Sequence, residues 1–229
     1  MAWETARRSP TAFRSASTRA KVLVGLLWVN LLASLIACAI DAWGWLTIDS
    51  FLAGRASVSD LETFDSLHAN GAVAETVIFG ATIVAWLAWQ WRTIDNEARL
   101  RIGPSPWSPA MSIVWWFVPF ANLVQPYRIH RDMYVRYVGP RAGVVLLWWL
   151  AYIGSSLMLN FAGRVWLALE TLDGLQSGLI LWFVADLASA LAVFPAVALV
   201  SRIQRPSEEL GSTIERSPVS TPGPSVATT

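Results

Sequence analysis

Apolar residues in this chain gather into long uncharged runs separated by short polar stretches. Four runs, about 22–40, 72–91, 142–159 and 178–200, approach or exceed the roughly 20 apolar residues needed to cross a hydrocarbon core. The first is interrupted only by Asn30. The second has Glu75 near its start and no charge after it, the third has no charge, and the fourth contains Asp186 and Pro195. No period-two alternation of the kind a membrane barrel needs runs through them. Backbone in hydrocarbon must satisfy its own hydrogen bonds, so each run is predicted to be a helix.

A fifth apolar stretch, 110–127, reads AMSIVWWFVPFANLVQPY and holds Pro119, Asn122, Gln125 and Pro126 in a short window. Proline inside a helix removes a hydrogen bond and clashes with the preceding turn, so a straight span is not expected here. The pattern predicts a broken, re-entrant or interfacial segment. Asn122, one turn beyond Pro119, could bond the backbone groups that the break exposes. Pro126 suits the first turn of a new helix. From there Ile129, Met133 and Tyr137 recur every fourth residue, with Arg128, Arg131 and Arg136 mostly on other faces. This predicts an amphipathic helix over 126–138, held at anionic headgroups by basic residues worth about 1 kcal/mol each. The alternative is a pocket for a lipid phosphate or anionic substrate beneath Arg128 and His130.

The acid-rich stretch between the first two runs carries Leu61, Phe64 and Leu67 at helical spacing. It is read as a solvated connector or a short amphipathic helix near the outer surface. Residues 1–21 form a basic leading segment. Residues 201–229, rich in Ser, Thr and Pro and including Pro206, Pro218, Pro222 and Pro224, are expected to be a flexible extension. The fold class is therefore all-α: a polytopic membrane protein with four transmembrane helices and one proline-broken segment.

Composition agrees, with 55% apolar and 14% charged residues. An ordinary soluble domain carries about 25% charged residues. A net charge of +1 is no footprint for nucleic acid. One Cys excludes an internal disulfide framework, and two distant His residues suggest no zinc site. No cofactor is implied.

The placement of charge carries more information than its sum. If the broken segment dips in and returns, all of the 17 Lys and Arg residues except Arg55 and Arg164 fall on the side of the two termini. A full fifth span would divide them almost evenly. Positive residues prefer the cytoplasmic side, so both termini are expected there, in a bacterial cytoplasmic membrane. The box Leu35-Ile36-Ala37-Cys38 resembles a lipoprotein cleavage site. A long leader and three later spans favour an uncleaved helix with a buried Cys38 instead.

The densest pattern runs from Arg92 to Tyr137. Trp116, Phe117, Pro119, Asn122, Leu123, Pro126 and Tyr127 spell Trp-Phe-x-Pro-x-x-Asn-Leu-x-x-Pro-Tyr, with Arg92, Asn96, Pro106 and Trp107 upstream and Asp132 downstream. On these residues the chain resembles a bacterial family of small polytopic membrane proteins whose common domain has no assigned function. The family usually places a Trp shortly after the acidic residue, where this chain has Tyr134. The resemblance implies membership and supplies no catalytic residue.

Asp186 is the one charge well inside a predicted span, where ionised groups cost about 2.5–3.5 kcal/mol. It is read as a structural hydrogen-bond partner of Asn30 or Asn122, or as part of a proton or cation relay. Ala188, Ala192 and Ala196 form a small-residue stripe suited to close helix packing. Of the 14 Trp residues, Trp43, Trp45 and Trp182 suit an outer interfacial belt, and Trp86, Trp89 and Trp91 an inner one. The pairs Trp115-Trp116 and Trp148-Trp149 should sit deeper, packed on the broken segment or forming an aromatic wall for a lipid, isoprenoid or cation.

Three functions are weighed. The first is a non-enzymatic scaffold, regulatory or assembly subunit, with protein partners or as a homo-oligomer. The second is a small transporter or channel component using the broken segment and Asp186. The third is a lipid-handling intramembrane enzyme, disfavoured because no H-E-x-x-H, G-x-S-x-G or Walker pattern occurs.

Overall fold

The structure, a computed structural model, describes residues 12–100, 102–103, 105–168 and 171–216. Six α-helices follow in order: α1 (Ser17–Leu52), α2 (Val58–Glu97), α3 (Pro109–Val114), α4 (Gln125–Tyr137), α5 (Gly143–Trp166) and α6 (Leu172–Arg216). A 3-10 turn, Ala121–Leu123, precedes α4. The described residues contain no strand, and four of the helices, α1, α2, α5 and α6, are long and apolar enough to cross a membrane. The fold is all-α and polytopic.

Two boundaries differ from expectation because helix continues past the apolar runs. Helix α1 extends to Leu52 and α2 begins at Val58, so the expected external connector shrinks to residues 53–57. Leu61, Phe64 and Leu67 do lie on a helix, but it is the first turns of α2. Phe64 is buried on Gly44 of α1, where any side chain would collide with its ring. Ser57 caps α2, its N–H and hydroxyl both bonded to Asp60 Oδ2 at 2.8 Å.

At the other end α6 runs through Pro195 and Pro206 to Arg216, so 201–216 is helix and not a flexible tail. Ile203 and Ser207 are fully buried, and Leu210 and Ile214 pack on the core at the same helical spacing. Glu208 accepts hydrogen bonds from Ser15 Oγ (2.8 Å) and Ala16 N (3.1 Å), tying this extension to the start of α1. Pro218, Pro222 and Pro224, and residues 1–11 of the basic leader, lie outside the described residues.

Helix α1 packs on α2 and α6, and α6 packs on α5, whereas the backbones of α2 and α5 stay apart and the stacked rings of Trp86 and Trp148 bridge them. The four-helix arrangement is thus open along one side. The broken segment and α4 sit beneath it, at the end where α1 begins and α6 finishes. This is called the terminal end below, and the opposite one the loop end.

Candidate functional site

The terminal end is built from the motif. Helix α3 is capped by Ser108, whose Oγ accepts from Met111 N at 3.2 Å. Beyond Pro119 the chain turns sharply through Phe120, whose φ of 62° lies in the left-handed region that non-glycine residues rarely occupy. The Asn122 side chain makes no hydrogen bond among the described residues. Its backbone N–H bonds Val118 O at 2.9 Å, so the expected repair of the break by that side chain is absent. Phe117 and Phe120 are 69% and 85% exposed, apolar surface that suits lipid contact.

Helix α4 forms where the apolar period predicts it. Its apolar face, Ile129, Met133 and Tyr137, is buried in the main core with His130 and Tyr134, so it faces the bundle. Arg128 and Arg131 are exposed. Arg136 reaches back to Glu97 at 3.6 Å.

The remaining motif residues are held by specific pairs. Trp116 Nε1 donates to Gln90 Oε1 at 3.0 Å, and Gln90 Nε2 donates to Ser112 O at 3.0 Å. Trp107 Nε1 donates to Asp132 Oδ2 at 3.0 Å. Asn96, fully buried, donates to Arg14 O at 2.9 Å, while Arg92 pairs with Asp95 at 3.5 Å. Trp115 and Tyr127 pack on the core rim. Beneath Arg128 there is no open anion pocket at His130. Its ring is fully buried, Nδ1 donating to Pro126 O at 2.7 Å and Nε2 accepting from Trp86 Nε1 at 3.1 Å. Those two bonds fix the neutral tautomer. Burial pulls its pKa down to about 4, against a small opposing effect of the Pro126 bond. Burial, with Glu97 nearby, pushes the Tyr137 hydroxyl up; it donates to Thr93 O at 2.8 Å.

Around His130 lies an aromatic cluster. Trp86 and Trp148 stack at 4.9 Å with 9° between planes, and Trp148 lies 4.7 Å from the His130 ring. Trp116, Trp149 and Tyr152 complete it at 5.5–6.2 Å. Trp86 and Trp89, expected in an interfacial belt, are core residues at 7% and 0% exposure. Trp43, Trp45 and Trp91 are exposed, as a belt requires.

Above the cluster, between the separated α2 and α5, lies a cavity of about 510 Å³. Trp86, Trp116, Trp148 and Tyr152 line one end, and Glu75, Trp182 and Asp186 line the other. Asn30, Ser34, Thr82 and Ser155 give its wall scattered hydroxyl and amide groups. Ala192 and Ala196 line it too, so this part of the small-residue stripe makes room for the cavity. A smaller chamber of about 170 Å³ adjoins it, bounded by Asp41, His68, Glu75, Trp182 and Asp186.

The expected partners of Asp186 are not where the sequence suggests. Asn30 Nδ2 bonds Leu26 O at 2.8 Å and Thr82 Oγ1 at 2.6 Å, and Asn122 lies in the broken segment at the terminal end. Asp186, 3% exposed, instead has its carboxyl within hydrogen-bonding reach of Asp41, which is 2% exposed, and Glu75 is close by. Asp41 Oδ1 pairs with His68 Nδ1 at 3.3 Å. Asp186 is therefore one of three acids brought together from α1, α2 and α6. Their separation in sequence hid this: Asp41 follows the first apolar run immediately and Glu75 opens the second, so each reads singly as an end-of-helix charge. Cys38, 6% exposed in the body of α1, is buried as expected and donates to Phe183 O at 3.6 Å.

A family model described as a domain of unknown function (DUF4328) matches residues 53–205. No curated protein and no solved structure matches the chain.

Proposed function

This chain belongs to the family defined by the domain of unknown function DUF4328, and we propose that it is a non-enzymatic, multi-pass membrane protein that takes an amphipathic ligand from the bilayer. One observation carries this reading: the cavity of about 510 Å³ lies between α2 and α5, whose backbones stand apart above the Trp86–Trp148 stack, with an apolar aromatic end and an acidic end. Ligand sites are characteristically concave, mostly apolar and provided with a few convergent polar groups. A cavity between spanning helices supports a binding or transport component more than a passive scaffold, which needs no interior space.

The membrane is the bacterial cytoplasmic membrane, with the terminal end inside. The basic residues clustered at that end support this orientation. Arg128 and Arg131, exposed on α4, are available to anionic headgroups. Ligand enters sideways between α2 and α5, where Phe79 and Ile83 are exposed along the cavity wall.

Native mass spectrometry of the full chain released from lipid nanodiscs tests the reading. The expected result is retention of one small amphiphile per protein, lost when Ala192→Phe fills the cavity. Equal amphiphile counts on the wild type and a folded Ala192→Phe variant would sink it.

A further inference from the structure

The chamber at the loop end is short of positive charge. Among the described residues no Lys or Arg pairs with Asp41, Glu75 or Asp186, and the only ionic partner is His68 on Asp41. Asp41 Oδ2 is buried with no hydrogen-bond donor. Asp41 bounds the chamber, which holds about 170 Å³ of space. An unpartnered buried polar atom costs about 1–3 kcal/mol, and a charged one more. Such a cost persists where a ligand relieves it.

Resting on the cavity reading above, we propose that this chamber binds the ammonium group of an amphipathic amine whose apolar tail lies along the aromatic-lined cavity. An ammonium group carries three N–H donors and no acceptor. Asp41, Asp186 and Glu75 offer carboxyl oxygens from three helices around one space. His68 and Trp182, whose rings lie 5.9 Å apart, border the chamber and supply π faces, with Trp166 stacked 5.2 Å behind the His68 ring. A metal cation fits less well: among the described residues no group of three His, Cys, Asp or Glu side chains is arranged to hold one. A head of net negative charge is opposed by the three acids.

The test uses the full chain in phosphatidylcholine nanodiscs, with octylammonium and octanol as probes at equal membrane loading and tryptophan fluorescence as the readout. Octylammonium is expected to bind at least ~10-fold tighter than octanol, as a charge-assisted bond to a desolvated carboxylate implies. Asp186→Asn and Asp41→Asn should abolish the preference while keeping octanol binding. If either variant fails to fold, Glu75→Gln provides the same comparison. Competition by phosphatidylethanolamine would assign the ammonium to a lipid headgroup, and absence of competition to a free amine; both support the site. Equal binding of the two probes overturns the ammonium assignment and leaves the cavity reading standing. Binding of neither overturns both.

Discussion

The two ends of the helical bundle differ in what their buried polar groups face. At the terminal end many polar groups have partners, Trp116 with Gln90, Gln90 with Ser112, Trp107 with Asp132, His130 with both Trp86 and Pro126, and the buried atoms without a hydrogen bond there, Asn96 Oδ1, Glu97 Oε2, Gln125 Oε1 and Ser207 Oγ, line neither cavity. At the loop end three carboxyls border an open chamber, with Asp41 paired to His68 and with Asp41 Oδ2 and Trp182 Nε1, both on that chamber, unbonded. Satisfied networks rigidify a core, whereas unsatisfied ones are costly. The motif that is most legible in the sequence therefore reads as the foundation of the cavity, and the chemistry sits in residues that no motif contains.

Substitutions should separate the two ends, and the largest effect belongs to the foundation. Trp89→Ala removes a fully buried ring and its 3.0 Å bond to Gln204, and should cost about 3–5 kcal/mol of stability in detergent unfolding. A loss below about 1 kcal/mol would mean that the aromatic cluster is not structural.

A pH effect comes next. His130 is held neutral, with its pKa depressed to about 4 from an ordinary 6.5. The unfolded chain takes up a proton near pH 6.5 and the folded chain only near 4. The stability that the buried neutral ring permits is therefore intact above about pH 6.5, and falls as the pH drops through that window, by about 3 kcal/mol in all. His130→Gln should flatten this part of the stability profile relative to the wild type; an unchanged slope would contradict the assignment.

The smallest expected effect is of opposite sign. Asp41→Asn at the loop end relieves carboxyl repulsion and should leave thermal stability unchanged or raise it by about 1 kcal/mol. If it destabilises the protein as much as Trp89→Ala does, the loop end is a structural network as well, and the contrast between the ends disappears.

Much of the fold was readable from sequence. The four spans, the proline break and helix α4 follow from hydropathy, the window from Pro119 to Pro126, and the period of Ile129, Met133 and Tyr137. What escaped was helix carried beyond the apolar runs. Leu61, Phe64 and Leu67 continue α2, and Ile203, Ser207, Leu210 and Ile214 carry α6 past Pro206, because soluble helix ends keep only a narrow apolar stripe that Ser, Thr and Pro mask. The site was less visible. Asp186 stood out as an intramembrane acid, but its neighbours Asp41 and Glu75 lie at the edges of other runs.

By itself the sequence determined the solvent, the helical class and the polarity of the two ends. Those depend on transfer free energies and on charge, which sum along the chain regardless of what touches what. Only the tertiary structure decided that α2 and α5 stand apart, that the apolar face of α4 turns toward the bundle, and that three acids from three helices meet. Such meetings depend on the rotation and register of helices about one another, and a one-dimensional pattern of apolar residues leaves both undetermined when every face of a span is apolar.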